Sequence, residues 1–265
     1  LRKWLKIAVI LYIAGGIALY YLQDAILFHP VQLKGSHKYE TREAHTDVSI
    51  PINEEDTLNM VRFHPAGKQP RGVVLYFHGN KKNIGWYARF TPFFTRHGYE
   101  VMMIDYPGFG KSRGKFTEKT LYDWARQLYK FSRSYYPADS IIIYGKSMGT
   151  GIAAYLASRE ECRRLILETP YYDFPSVIRQ YLPIYPVGSM LHYKLPTYQY
   201  LQFVKAPVTI FHGTSDWVIR YRNSKRLKRL LKPPGEFISI EGGSHNNLYE
   251  YPLMQRKMDS LLRIP

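Results

Sequence analysis

Three isoleucines and a tyrosine, Ile141 to Tyr144, run straight into Gly145-Lys146-Ser147-Met148-Gly149, and small helix-compatible residues follow from Thr150 to Ala154. No other stretch constrains the fold as strongly. A buried strand has to end in a turn tight enough to feed a helix at once. Glycines two before and two after Ser147 let the flanking backbone pass close by without a Cβ clash. Ser147 then stands at the apex as a candidate nucleophile. The G-x-S-x-G pattern alone arises by chance, and the plain alternative is a strand-to-helix turn; strand before and helix after favour the nucleophile. Two phosphate-loop look-alikes fall away. Gly145-Lys146-Ser147 and Gly110-Lys111-Ser112 lack the required earlier glycine, which is Ser140 in one case and Asp105 in the other.

Around this turn, strand-like and helix-like stretches alternate. Gly72 to His78, Glu100 to Ile104, Leu165 to Glu168, Val208 to His212 and Glu236 to Ile240 are short and apolar, as buried strands are. Trp86 to His97 reads as helical despite Pro92. Leu121, Trp124, Ala125, Leu128 and Tyr129 share one helical face, with Thr120 and Asp123 as a weak capping box. Arg220 to Lys232 is expected as a basic helix with Leu227, Leu230 and Leu231 on its buried side. This alternation predicts an α/β chain with a mostly parallel sheet covered by helices on both faces. Arg42 to Ile50 and Thr57 to His64, joined by a polar turn, predict an antiparallel lead-in.

A chain of 265 residues suits one such domain plus an appendage, and the appendage is N-terminal. Ile7 to Leu22 carries no charge. With Lys6 snorkelling, a helix from Trp4 to Leu22 spans about 28 Å, close to the hydrocarbon core of a bilayer. Trp4 at one end and Tyr20-Tyr21 at the other sit where interfacial aromatics belong. Residues 1–24 are therefore predicted to be a transmembrane anchor, 25–41 a membrane-proximal linker and 42–265 the folded domain. No A-x-A site follows the apolar run, so an uncleaved anchor is expected over a signal peptide. Gly15-Gly16 reads as glycine tolerated in lipid rather than as a packing face. Arg2, Lys3 and Lys6 precede the span, and the first cation beyond it is Lys34. The positive-inside rule then puts the N-terminus in the cytoplasm and the domain on the periplasmic or extracytoplasmic side. Because the first residue is Leu1 rather than Met, part of the N-terminal flank is expected to precede it.

The net charge is +16, but no nucleic-acid module is visible. The charge points to an anionic membrane surface or to solvent, and nucleic acid is not an expected partner. Thr169 to Ala206 breaks the strand–helix alternation with many aromatics and prolines, and no acidic residue occurs from Phe174 to Ser215. A cap inserted at about 170–206 is expected. Its aromatic face meets lipid headgroups or simply packs on the sheet, and both readings stay open. The single cysteine, Cys162, excludes a disulfide framework and a multi-cysteine metal site; burial is its expected role.

A serine nucleophile needs a base and an acid to orient that base. Asp216 lies in the loop after the strand Val208 to His212, where a carboxylate can accept the Nδ1–H of an imidazole and fix its tautomer. His245 lies in the glycine-rich loop Glu241-Gly-Gly-Ser-His245-Asn246-Asn247 after the last strand. Alone it would read as a surface histidine; its place after Asp216 reverses that. His78 is expected to be structural, and Asn80 reads equally as a turn or capping residue. His29 reads as a polar edge residue.

Ser147, Asp216 and His245 occur in the order of the α/β-hydrolase fold, and from about Asp47 onward the chain resembles that superfamily. Within it, the chain looks most like the Bem46-like, membrane-anchored ABHD-type hydrolases. The matching segments are Phe28-His29-Pro30, His78-Gly79-Asn80, Asp105 to Gly110, Gly145 to Gly149, Leu167 to Pro170, His212 to Asp216 and Gly243 to Asn246. The resemblance implies an α/β-hydrolase fold with a cap and an N-terminal transmembrane helix, and a Ser147–His245–Asp216 triad. It implies an oxyanion hole from the backbone N–H groups of Asn80 and Met148, with Glu168 as a structural residue and reserve acid. No metal or organic cofactor is implied. Members of this group include monoacylglycerol and lysophospholipid hydrolases, so lipid or lipid-like esters and the bilayer are the expected partners. A peptidase or amidase with the same triad, and a catalytically silent membrane scaffold, are the alternatives. Oligomeric state is not legible.

Overall fold

Helix α1 runs from Arg2 to Leu27 in the computed structural model, which describes residues 1–67 and 69–263. Among the described residues it is the one helix long and apolar enough to cross a membrane. Beyond it come β1 (His45–Pro51), β2 (Thr57–Phe63), β3 (Gly72–Phe77), β4 (Tyr99–Ile104), β5 (Ile141–Lys146), β6 (Arg164–Glu168), β7 (Val208–Gly213) and β8 (Glu236–Ile240). They form one sheet in the order β1-β2-β4-β3-β5-β6-β7-β8. β2 is antiparallel to β1 and β4, and the other pairings are parallel. This is the α/β-hydrolase fold.

The central strands β3, β4, β5 and β7 are buried along their whole length, which is why they read as unbroken apolar runs. Side-chain alternation sorts them into two cores. Val73, Leu75 and Phe77 face the cluster built with α2 (Glu118–Arg133) and α3 (Gly149–Arg159). Val74 and Tyr76 face the other, completed by the short helices of residues 84–95. The cap carries α4 (Phe174–Arg179), α5 (Val187–Met190) and α6 (Thr197–Leu201). The final helix α7 (Pro252–Arg263) closes this second core through Met254, Met258 and Leu262.

Four local expectations need correction. Trp86 to His97 is not one helix but three short pieces, Ile84–Tyr87, Ala88–Phe90 and Pro92–Thr95. Pro92 has no N–H and its ring excludes the carbonyl four residues back, so it starts a piece instead of continuing one. Helix α2 is capped by Thr117, whose hydroxyl accepts the Thr120 N–H, so the cap lies three residues earlier than the Thr120–Asp123 pattern suggests. The basic stretch forms one α-turn, Tyr221–Lys225, and then a 3-10 segment, Arg226–Leu230, with Leu227 buried. Gly15 and Gly16 are a packing face: a Cβ at Gly15 would come within 2.5 Å of the Tyr185 hydroxyl of the cap.

The stretch after α1 is woven into the domain. His29–Pro30 pairs in parallel with Lys81–Lys82. Tyr39 is buried, its hydroxyl between Asn59 Oδ1 (3.0 Å) and Asp105 Oδ2 (2.9 Å). Cys162 is half-buried, and burial pushes its thiol up to about 12.

Candidate active site

In open α/β sheets, ligands bind beyond the carboxyl ends of the parallel strands. The loops after β3, β5, β7 and β8 carry Asn80, Ser147, Asp216 and His245, all at that end of the sheet. Ser147 follows the last residue of β5 with φ +52°, a left-handed conformation that costs a non-glycine residue energy and turns its side chain out of the chain path. The turn closes tightly. A Cβ at Gly149 would collide with the Phe77 carbonyl, and one at Gly145 would lie 2.6 Å from the Gly149 carbonyl oxygen. The Ser147 N–H donates to the Glu168 carbonyl at 2.9 Å, which pins the turn to β6.

Ser147 Oγ lies 2.9 Å from His245 Nε2, and His245 Nδ1 lies 2.8 Å from Asp216 Oδ2. A carboxylate only accepts, so Nδ1 carries the proton and Nε2 presents its lone pair to the serine hydroxyl. The other carboxylate oxygen, Asp216 Oδ1, accepts the Val218 and Ile219 N–H groups at 2.9 Å each. Burial pushes the Asp216 carboxyl up. The His245 hydrogen bond, the His245 and His212 imidazoles and the Ile219 N–H outweigh it and hold the group below its ordinary 3.8. Burial, partly offset by Asp216, pulls His212 below its ordinary 6.5, and its Nε2 lies 2.8 Å from the Ile219 carbonyl. His212 thus props the loop that carries the carboxylate.

A cavity of about 540 Å³ opens on Ser147. Asn80 and Met148 line it together with Ser147. Met148 directly precedes α3, so its backbone N–H lies at the positive end of that helix, next to the serine. The Asn80 loop is held by the N-terminal segment: Asn80 Nδ2 donates to the Leu27 carbonyl at 2.5 Å, and the His29 N–H donates to the Asn80 carbonyl at 2.9 Å. The rest of the wall is largely apolar and comes mainly from the cap (Phe174, Ile178, Met190) and the end of α1 (Leu19, Ile26, Leu27), with Val218 and Ile219 of the Asp216 loop beside them. Composition suggests a cap; the contribution of α1 carries no local sequence signal beyond the face that Gly15, Leu19 and Gln23 share at a spacing of four.

His78 and Glu168 stand outside the Ser147–His245–Asp216 chain. His78 is buried between the Tyr87 and Tyr106 rings (centroids 4.9 and 4.3 Å away), with Nδ1 2.8 Å from the Gly79 carbonyl. Glu168 lies beneath the serine turn, its two oxygens taken by Lys146 Nζ and the Tyr144 hydroxyl. The Tyr144 hydroxyl also meets that of Tyr249 at 2.6 Å. Glu168 is therefore engaged in a buried network of its own. His29 is exposed and sits at the cavity edge.

Comparison with known proteins fits this architecture. A hydrolase family model described as serine aminopeptidase, S33, matches residues 68–202. Alpha/beta hydrolase domain-containing protein 17C of Xenopus tropicalis is 31% identical over 189 residues, covering 68% of this chain and 58% of that protein. The human domain-containing protein 17B is 30% identical over 199 residues, covering 72% and 65%. The chain thus spans less than two thirds of the length of either relative. Among solved structures, an esterase from Pyrococcus furiosus superposes with a TM-score of 0.69 at 20% identity, covering 89% of this chain and 98% of that one. A soluble variant of monoglyceride lipase from Saccharomyces cerevisiae, in complex with a substrate analog, gives a TM-score of 0.64 at 18% identity, covering 86% and 97%. These two likenesses concern the fold. With a family model matched over half its length, this chain belongs to the α/β-hydrolase family.

Proposed function

We propose that the protein is a membrane-anchored serine hydrolase that cleaves carboxylic esters of single-chain lipids, monoacylglycerols foremost. The observation that carries this reading is the Ser147–His245–Asp216 chain of hydrogen bonds opening on an apolar cavity. His245 Nε2 takes the Ser147 proton as Oγ attacks the ester carbonyl, and Asp216 stabilises the resulting imidazolium. The Asn80 and Met148 N–H groups receive the developing oxyanion, worth roughly 3–4 kcal/mol per donor in such sites. His245 returns the proton to the leaving alcohol. Water, activated by the same histidine, then resolves the acyl-enzyme and frees the fatty acid.

The aminopeptidase description of the matching family favours a second reading, a peptidase or amidase. An aminopeptidase has to neutralise the α-ammonium group of its substrate. No Asp or Glu is among the described residues that line the cavity, whereas an acyl chain meets leucine, isoleucine, phenylalanine and methionine there. The native protein in detergent micelles is expected to hydrolyse a long-chain monoacylglycerol with a kcat/KM well above that for an aminoacyl-arylamide. Arylamide turnover equal to or above ester turnover would establish the peptidase reading in its place.

A further inference from the structure

Helix α1 is more than a tether. Its contacts with the cap begin at Tyr12, whose ring stacks on Tyr185 (centroids 4.8 Å apart, planes 3° apart) and whose hydroxyl donates to the Ile184 carbonyl at 3.0 Å. The helix carries one buried residue, Gln23. Its amide nitrogen donates to the Met190 carbonyl at 3.3 Å and its oxygen accepts the His192 N–H at 2.8 Å, so the cap is bolted to the helix by a polar pair. Four residues of the same helix, Leu19, Gln23, Ile26 and Leu27, form part of the cavity wall above Ser147. From Leu19 to Leu27 that wall runs about 12 Å along the helix axis.

Length then decides where the cavity lies. Tyr12 is only about 12 Å along the apolar span from Trp4, less than half of a hydrocarbon core of roughly 30 Å. If α1 crosses the bilayer, the cap has to accompany its C-terminal half through the far leaflet. The cap segment that does so suits the task. Residues 181–191 carry no charge, and Tyr181 and Ile184 expose 54% and 69% of their surface. The Tyr181 hydroxyl lies 2.8 Å from both the Trp217 and Val218 carbonyls, which joins two more exposed apolar side chains to the same rim. A soluble domain gains nothing by exposing such a rim, whereas hydrocarbon does not penalise it.

We propose that α1 and cap segment 181–191 form an acyl portal within the far leaflet, through which the substrate's chain passes from the bilayer to Ser147 without crossing water. The proposal rests on the lipid-ester reading above, and it makes the anchor helix a determinant of acyl selectivity. Its test uses the full chain in phosphatidylcholine vesicles, with Ser147 labelling by a short water-soluble alkyl fluorophosphonate and by a long-chain one dissolved in the bilayer. Ile184 lies outside the cavity lining, so Ile184→Asp should leave short-probe labelling at the native rate. It should slow long-probe labelling at least tenfold, because a carboxylate is costly at that depth. Ile184→Leu should label like the native protein. Leu19→Trp, which narrows the cavity from the helix side, should lower the ratio of long-probe to short-probe labelling about tenfold. Unchanged long-probe rates in Ile184→Asp, or an unchanged ratio in Leu19→Trp, would overturn the portal. Absence of short-probe labelling in the native protein would instead overturn the nucleophile beneath it.

Discussion

Asp216→Asn is expected to lower ester turnover by about 10⁴-fold while leaving the fold intact. The size of the effect follows from the hydrogen bonds at the two carboxylate oxygens. Oδ1 accepts two backbone N–H groups, from Val218 and Ile219, so an asparagine has to place its carbonyl oxygen there. Its NH₂ group then faces His245 Nδ1, where the carboxylate now accepts. Nδ1 is forced to become the acceptor and the proton moves to Nε2. The atom facing Ser147 Oγ loses the lone pair that should take the proton. Steady-state kinetics in micelles, with circular dichroism to verify folding, checks the prediction. The same substitution has a signature in stability. A carboxyl held below its ordinary value of 3.8 contributes stability that is fully present above that pH and is lost as pH falls through the lower folded value. The native protein's melting temperature should therefore approach that of the variant as the solution is acidified below about pH 4.

The second large effect lies just under the serine turn. Lys146 and Glu168 are register partners on β5 and β6, and both are almost fully buried. Lys146 Nζ also sits 5.3 Å from the Phe90 ring centroid. Lys146→Met leaves the Glu168 carboxylate in the interior with only the Tyr144 hydroxyl for company. Breaking a buried pair from one side costs about 3–5 kcal/mol, mostly the penalty of the stranded charge. The double variant Lys146→Met with Glu168→Leu should recover most of this loss, since Tyr144 retains Tyr249 as its hydrogen-bond partner. Urea unfolding in detergent compares the three proteins. A double variant as unstable as the single one would show that the pair itself, and not the stranded carboxylate, carries the energy.

These two sites differ in how visible they are along the chain. The Ser147 turn is legible because its demands are local: β-branched residues before it, glycines where a Cβ would collide, small residues after it. The parallel order of the central strands is legible for a similar reason, since strands buried on both faces lose the polar alternation of an exposed sheet. Asp216 and His245 are legible by their place in the order of loops, although no spacing between them and Ser147 reveals a 2.9 Å contact. What escapes are contacts made far along the sequence. Gly15 and Gly16 look like glycine in lipid until Tyr185, 170 residues later, is seen to lie over them. Gln23 is an unremarked polar residue at the end of an apolar run, and its role depends on Met190 and His192. The broken helices of residues 84–95 show the opposite failure: Pro92 is in plain view, but apolar periodicity on both sides hides how completely it interrupts the hydrogen-bond ladder.

The proposed function stands on Ser147 as the nucleophile of a lipid-ester hydrolase. Fatty-acid release from a monoacylglycerol in detergent micelles, measured for the native protein and for Ser147→Ala, tests it most directly. Release by the native protein and a loss of about 10⁶-fold in the variant are the expected results. Equal release by a folded Ser147→Ala protein, or none by a folded native protein, would contradict it.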